Sequence, residues 1–322
     1  MKNNSKFLFL VLAVPLLAGC GNKVKEPKFA ALGEEKTIDA FEEAIEKSLP
    51  EDHELMKDDV LGSLVMKTKG ASLNSAKHSR GKTVTDENVT TSKSTEQIDY
   101  DATNVLLRDK SESVSKEVEK DAWGKVTTTN KTTTDAMMQE HKAKDVSYAI
   151  AVDNLVKEYS PVQTLSEDVK LIDYLSENVK MIILWELSMS IYQEMASYAS
   201  ADEEEQKNYK FYQNGNIFSV VYESKFENKE VKNLTDDTIR CVGNGSEVRK
   251  VQVDFTAGAY SLVTYSKQEG KYDYKTAYES YAVGDVYEYE VASSSEFKAT
   301  RKEPGLKAID LAKYTAVGFP EE

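Results

Sequence analysis

The chain has 322 residues, and 55 acidic side chains outnumber 41 basic ones for a formal net charge of −14. That balance argues against a nucleic-acid partner and against adsorption on anionic lipid headgroups, because phosphate groups repel an acidic surface. Charged residues at 30% and aromatics at 9% suit an exposed globular protein, long enough for one large domain or two smaller ones.

Lys2 and Lys6 flank a polar start, and Phe7 to Leu17 form an eleven-residue apolar run. This is the charged and hydrophobic pattern of a secretory signal. At about 1.5 Å per residue the run covers roughly half of a hydrocarbon core about 30 Å thick, too little for a spanning helix. It ends in Leu17-Ala18-Gly19-Cys20, where two small residues precede the only nucleophilic sulfur at hand. This quartet resembles the lipobox of bacterial lipoproteins. The resemblance implies cleavage before Cys20 and acylation of its sulfur, which makes the membrane a partner through covalent lipid. Two or more chains make such an anchor durable, since one chain alone binds marginally. Loss of residues 1–19, with two lysines and no acid, makes the formal charge more negative by two.

Residues 20–36 then read as the lipidated cysteine and a flexible tether, spanning on average roughly 20 Å. The implied location is the extracytoplasmic face of the cell membrane in a Gram-positive host, or the outer membrane in a Gram-negative one. With Cys20 acylated, Cys241 has no disulfide partner in the chain, and it reads as a small buried hydrophobe in a strand.

Ile38, Phe41, Ile45 and Leu49 recur at helical spacing, with Thr37 as a cap and Pro50 as a stop, which predicts a short helix over 38–49. Val60 to Met66 has strand length. From Gly70 to Asp135 serine, threonine, lysine and acids dominate. Long one-sided antiparallel strands or a disordered stalk would both suit this composition, and the alternation at Ile98, Tyr100 and Ala102 favours strands.

After Pro161, Thr164 and Glu167 have capping-box spacing. Leu165, Val169, Ile172, Leu175, Val179, Ile182, Leu187, Ile191, Met195 and Tyr198 then trace an apolar stripe of helical period, predicting one long amphipathic helix or two in tandem. Glu177, Lys180 and Glu186 within it exclude a comfortable membrane span. The acidic run Asp202 to Glu205 lacks calcium-loop spacing and reads as solvated loop.

From Tyr209 the period becomes two. Gln213-Asn214-Gly215-Asn216 predicts a hairpin, and further strands follow over 248–255, 260–265, 272–281 and 286–291. Turns are expected at Gly243 to Ser246, Gln268 to Gly270 and Gly284-Asp285, and a last helix over 307–314.

Tyr272, Tyr274 and Tyr278 share one strand face, and Tyr287 and Tyr289 repeat the pattern on the next strand. Such a face either packs on the helix with its phenols at the margin, or lines a concavity that, with Trp185, holds a hydrophobic or lipid ligand. His53, His78 and His141 show no paired ligand spacing, so no metal site is assigned. No nucleophile elbow, zinc-protease helix, phosphate loop or dinucleotide fingerprint is present, so no catalytic residue and no cofactor is assigned.

The whole predicts an α+β fold: a large curved antiparallel β-sheet, a short N-terminal helix and a long amphipathic helix covering one face. Residues 37–160 supply the first helix and polar strands, residues 161–322 the long helix and the tyrosine-rich meander, in one continuous domain. In outline this is similar to the half-barrel fold of periplasmic lipoprotein carriers and mycobacterial lipid-binding lipoproteins, where a sheet wraps helices around an apolar cavity. No residue motif carries that likeness, and no site residue is transferred by it. The expected role is a membrane-anchored module for a hydrophobic ligand, with an envelope-associated interaction protein as the alternative and a hydrolase third.

Overall fold

The computed structural model describes residues 24–48, 62–80, 82–101, 104–120, 124–141, 147–152, 157–162, 182–183, 185–232, 239–255, 259–276, 285–300 and 315–316. In chain order the elements are β1 (Glu34–Lys36), α1 (Ile38–Ser48), β2 (Gly62–Arg80), β3 (Lys82–Tyr100), β4 (Asn104–Lys120), β5 (Lys125–His141), β6 (Ser147–Val152), β7 (Lys157–Val162), α2 (Ile191–Ser200), α3 (Glu203–Gln206), β8 (Tyr209–Asn214), β9 (Ile217–Lys232), β10 (Ile239–Asp254), β11 (Ala259–Thr276), β12 (Asp285–Thr300) and β13 (Thr315–Ala316). The strands form one sheet in the order β1-β8-β9-β10-β11-β12-β2-β3-β4-β5-β6-β7-β13. Two meanders, β8 to β12 and β2 to β7, therefore meet edge to edge at β12 and β2. Apart from the parallel contact of β13 with β7, the pairings are antiparallel.

The serine- and threonine-rich stretch is sheet. β2 to β5 are 17 to 19 residues long and pair in unbroken register. At about 3.3 Å per residue such strands run roughly 60 Å. Side-chain pairs across the ladder supply what apolar contacts do not: Thr68 with Ser94 and Thr264 with Ser295, each at 2.7 Å, and Glu112 between Lys93 and Lys131.

The apolar core occupies one end of the sheet. α1 begins as predicted, with Thr37 Oγ1 accepting from the Ala40 N–H at 3.4 Å, and it buries Phe41 and Ile45 completely. Phe41 stands 5.2 Å from Phe211 and 5.7 Å from Phe218, ring centre to ring centre. The row of rings continues through Phe255 and Tyr260 to Phe297. Each such fully buried side chain contributes roughly 1.5–3 kcal/mol.

The single long amphipathic helix is not there. Among the described residues the longest helix is α1 with 11 residues, and the apolar stripe breaks at Met189-Ser190 before α2 starts. The Ser190 hydroxyl donates to the Glu186 carbonyl at 2.5 Å, and its N–H turns to the Leu187 carbonyl at 3.3 Å. A serine that bonds back to the preceding turn competes with the helix's own ladder and ends it. Both pieces still use the stripe, since Ile182, Ile183, Leu187, Ile191 and Met195 all enter the core. The fold is thus a large antiparallel sheet with short helices at one end. None of the described helices is long and apolar enough to cross a membrane. The Thr164–Glu167 capping box and the helix expected over 307–314 lie outside the described residues.

Two expected turns are instead strand. Gly243 to Ser246 runs within β10 as a bulge between Gly243 and Gly245, and Gln268 to Gly270 runs unbroken within β11. The hairpin at 213–216 forms, with Asn214 opposite Ile217 and Gly215 at φ 59°.

Candidate functional site

Register places four of the five nominated tyrosines together. Tyr272 is directly opposite Tyr287, Tyr289 is opposite Gly270, and Tyr274 lies between Cys241 and Asp285. By strand alternation all four fall on the face that carries Tyr260 and Phe297. They sit at the other end of it: twelve residues of β11 separate Tyr260 from Tyr272, roughly 40 Å of strand. Tyr278 and the side chains of Tyr272, Tyr274, Tyr287 and Cys241 lie outside the described residues. Trp185 belongs to the helical end and is 50% exposed beside exposed Met189, so the structure does not bring it to the tyrosines.

The glycines explain this end of the sheet. Gly245 faces Gly270 across β10 and β11. A Cβ at Gly270 would stand 2.5 Å from the Tyr289 ring, and one at Gly245 would stand 2.5 Å from the Phe226 ring and closer still to the Glu269 carbonyl. Two aromatic rings therefore lie over a cross-strand glycine pair, and Phe226 joins the tyrosines although periodicity alone did not single it out. Gly245→Ala is expected to cost about 1–3 kcal/mol, because backbone must move as well as a ring. Gly270→Ala, which meets only a side chain, should cost less in the same urea titration.

A second site lies on the opposite face, under the N-terminal segment. Residues 24–33 form neither helix nor strand, yet they are strapped across the outer face of β8 to β10. The Gln252 amide accepts from the Ala30 N–H at 2.7 Å and donates to the Ala30 carbonyl at 3.2 Å and to Ser219 Oγ at 2.9 Å. Asn214 donates to the Ala31 carbonyl, and Lys250 pairs with Glu26 at 3.1 Å. Gly33, at φ 82°, then turns the chain into β1 against the Gln213 backbone, a conformation other residues adopt only at a cost. Strap and sheet enclose a cleft of about 360 Å³ lined by Glu26, Phe29, Lys207, Lys210, Tyr212 and Lys250. Gln252 and Ser219 are buried, so Gln252→Leu leaves polar groups unmatched. We expect a loss of about 1–3 kcal/mol and much faster tryptic cleavage at Lys25 and Lys28.

Charge is concentrated where helices meet sheet. Arg249 donates through Nε to Glu194 at 3.0 Å and through Nη2 to the Tyr209 phenol at 2.8 Å, contacts Glu247 through Nη1, and stacks 4.0 Å over Tyr222. Burial works against its charge, but the Glu194 and Glu247 carboxylates more than offset it and hold the guanidinium protonated. Burial pushes the Glu186 carboxyl up to about 7. Glu96, directly opposite Asp109, rises to about 7 through burial and then the Asp109 charge. The acidic run at 202–205 forms α3, with the Asp202 carboxylate accepting from the Glu204 and Glu205 N–H groups as its cap. Among the described residues no cluster has the ligands to hold a metal ion.

No family model matches the chain, and no curated protein matches it. Among solved structures it is similar to OccK7 (OpdD) of Pseudomonas aeruginosa at 4% identity and a TM-score of 0.18, covering 74% of this chain and 99% of that one. It is similar to OprB of Pseudomonas putida at 7% and 0.20, covering 73% and 92%, and to an outer membrane channel of Pseudomonas putida F1 at 6% and 0.16, covering 74% and 95%. TM-scores this low define no common fold.

Proposed function

We propose that this chain is a lipoprotein anchored through Cys20 on the extracytoplasmic face of a membrane, and that its sheet takes up a hydrophobic or lipid ligand at the tyrosine-bearing end. The observation that carries the anchoring is the lipobox-like quartet Leu17-Ala18-Gly19-Cys20, and the strap fixes how such an anchor reaches the sheet. The chain is bonded to the sheet from Glu26 onward, six residues after Cys20, so a lipid on that sulfur ties the folded sheet itself to the bilayer. The lipobox-like quartet supplies the chemistry, and the strap transmits its position. Cys20→Ala should abolish incorporation of labelled palmitate and move the protein out of the membrane fraction. Unchanged labelling and fractionation would sink the anchor.

The ligand reading is supported by the register of the tyrosines around the Gly245 and Gly270 pair, where the Phe226 and Tyr289 rings lie over the glycines far from the filled core. Native mass spectrometry of the detergent-released protein should show a mass beyond protein and its own acyl chains. Gly270→Trp, whose side chain must push the Tyr289 ring aside, should remove it.

One feature favours a second reading, an envelope partner. Across β11 to β4 the face beyond the core carries Ser266, Ser293, Gly70, Ser92 and Ser113 in one register row, a hydroxyl surface suited to a wall polymer. Retention on purified wall fragments, lost on replacing Ser92 and Ser113 by leucine, would support it over the lipid ligand.

A further inference from the structure

Charge on this molecule is not evenly spread, and one basic stretch lies where the chain enters from its N-terminus. In a chain of net charge −14, residues 21–33 hold Lys23, Lys25 and Lys28 against Glu26 alone, and Lys250 neutralises Glu26 at 3.1 Å. Lys25 and Lys28 are exposed. Beneath the strap Lys210 is exposed too, and among the described residues it makes no ion pair. Lys207 pairs with Glu204, and Glu223 stands 3.8 Å from Lys250. Glu205 of α3 turns to the opposite side, where it accepts from the phenol of Tyr222, whose ring faces the core. Interleaved with the lysines are Phe29, over the cleft, and Leu32, 37% exposed.

We infer that the strap and the outer face of β8 to β10 form a docking surface for anionic phospholipid headgroups. The inference rests on the lipid-anchor reading of Cys20, and it adds the face that the anchor turns toward the bilayer. From Cys20 to Glu26 an extended chain reaches at most about 20 Å, so an acylated sulfur holds this face, and not the helical one, against the membrane. A tether that short lets the lysines approach to within a Debye length, about 8 Å, of the headgroups. Basic residues near an anionic leaflet attract it, and apolar ones between them reach the acyl boundary. The remainder of the molecule is net acidic, so docking by the strap face is favoured over lying down at random. Anchor and surface then cooperate: the lipid supplies attachment, the strap supplies orientation.

The test uses the processed, lipid-bearing chain with Phe29→Trp, reconstituted into phosphatidylcholine vesicles with about one third phosphatidylglycerol. Subtracting the parent, whose tryptophans are Trp123 and Trp185, isolates the strap fluorescence. Brominated lipids should quench that fluorescence about twofold or more. High salt, or vesicles of phosphatidylcholine alone, should relieve the quenching, as electrostatic docking requires. Lys25→Glu combined with Lys28→Glu should abolish quenching while the protein still floats with the vesicles. Flotation without quenching overturns the docking surface and leaves the anchor intact, including the case where a second copy or another protein covers this face. Failure to float overturns the anchor, and the docked orientation with it.

Discussion

Arg249→Met is expected to destabilise the protein by about 3–5 kcal/mol, the largest loss of any single substitution outside the apolar core. The guanidinium joins four groups from four elements: Glu194 on α2, Glu247 on β10, Tyr209 on β8 and Tyr222 on β9. Its Glu194 partner is only 13% exposed at the side chain, and Arg249 only 25%, so water can replace little of what is lost. Methionine keeps the volume but strands two carboxylates without a cation, and that penalty exceeds the worth of any one contact. Glu194→Leu in the Arg249→Met background should recover much of the loss, because the stranded charge goes with it. Arg249→Lys should recover little, since one ammonium cannot serve Glu194 and the Tyr209 phenol while stacking flat on Tyr222. Urea titrations of the four full-length chains decide the matter. Equal stability of parent and Arg249→Met would mean that α2 is held to the sheet by its apolar stripe alone.

Legibility in the sequence differs from element to element. Phe41 and Ile45 announce α1 by spacing, and Asn214-Gly215 announces the β8 to β9 hairpin by its demand for positive φ. Period two groups Tyr272 with Tyr274 and Tyr287 with Tyr289, whereas the pairing of Tyr272 with Tyr287 is a matter of register, which alternation alone does not fix. The break at Ser190 was hidden, because a serine beside an apolar stripe leaves the period intact, and its bond to the Glu186 carbonyl depends on a rotamer. Gly245 and Gly270 looked like turns because a glycine's strand role is visible only when the rings over it are known. The strap was hidden more deeply. Gln252 reads as one more outward residue of an alternating strand, and nothing local reveals that its amide serves Ala30, 222 residues earlier. Local propensity and period are written in short windows, whereas a strap or a buried cation joins segments that no window contains.

Stability should fall as pH rises toward neutrality, a sign opposite to the usual acid lability. An unfolded glutamate titrates near 4.5, whereas burial holds the Glu186 carboxyl protonated up to about 7 in the folded protein. Between those values the native state keeps a proton that the unfolded state has released, so stability is lost as pH climbs across this window. Each pH step of one between the two pKa values is worth about 1.4 kcal/mol, which makes the Glu186 contribution roughly 2–3 kcal/mol once partial exposure to water is allowed for. Glu96 acts in the same direction, from burial first and the facing Asp109 charge second. Its Oε2 is buried without a hydrogen-bond partner among the described residues, so its share is of the same order. Glu112 opposes them: Lys131 and Lys93 hold its carboxyl below the ordinary value, so its contribution is lost as pH falls, but that site is open to solvent. The balance predicts a melting temperature several degrees higher near pH 5 than near pH 8. Glu186→Gln should flatten part of that slope, leaving the Glu96 share, while raising stability at the alkaline end, since a neutral amide avoids the cost of a buried charge. A stability that climbs steadily from about pH 5 to pH 8 in the parent would show that Glu186 ionises freely. It would then follow that the helical residues 185–188 do not lie against Tyr260, whose phenol has no hydrogen-bond partner among the described residues and stands within reach of the Glu186 charge.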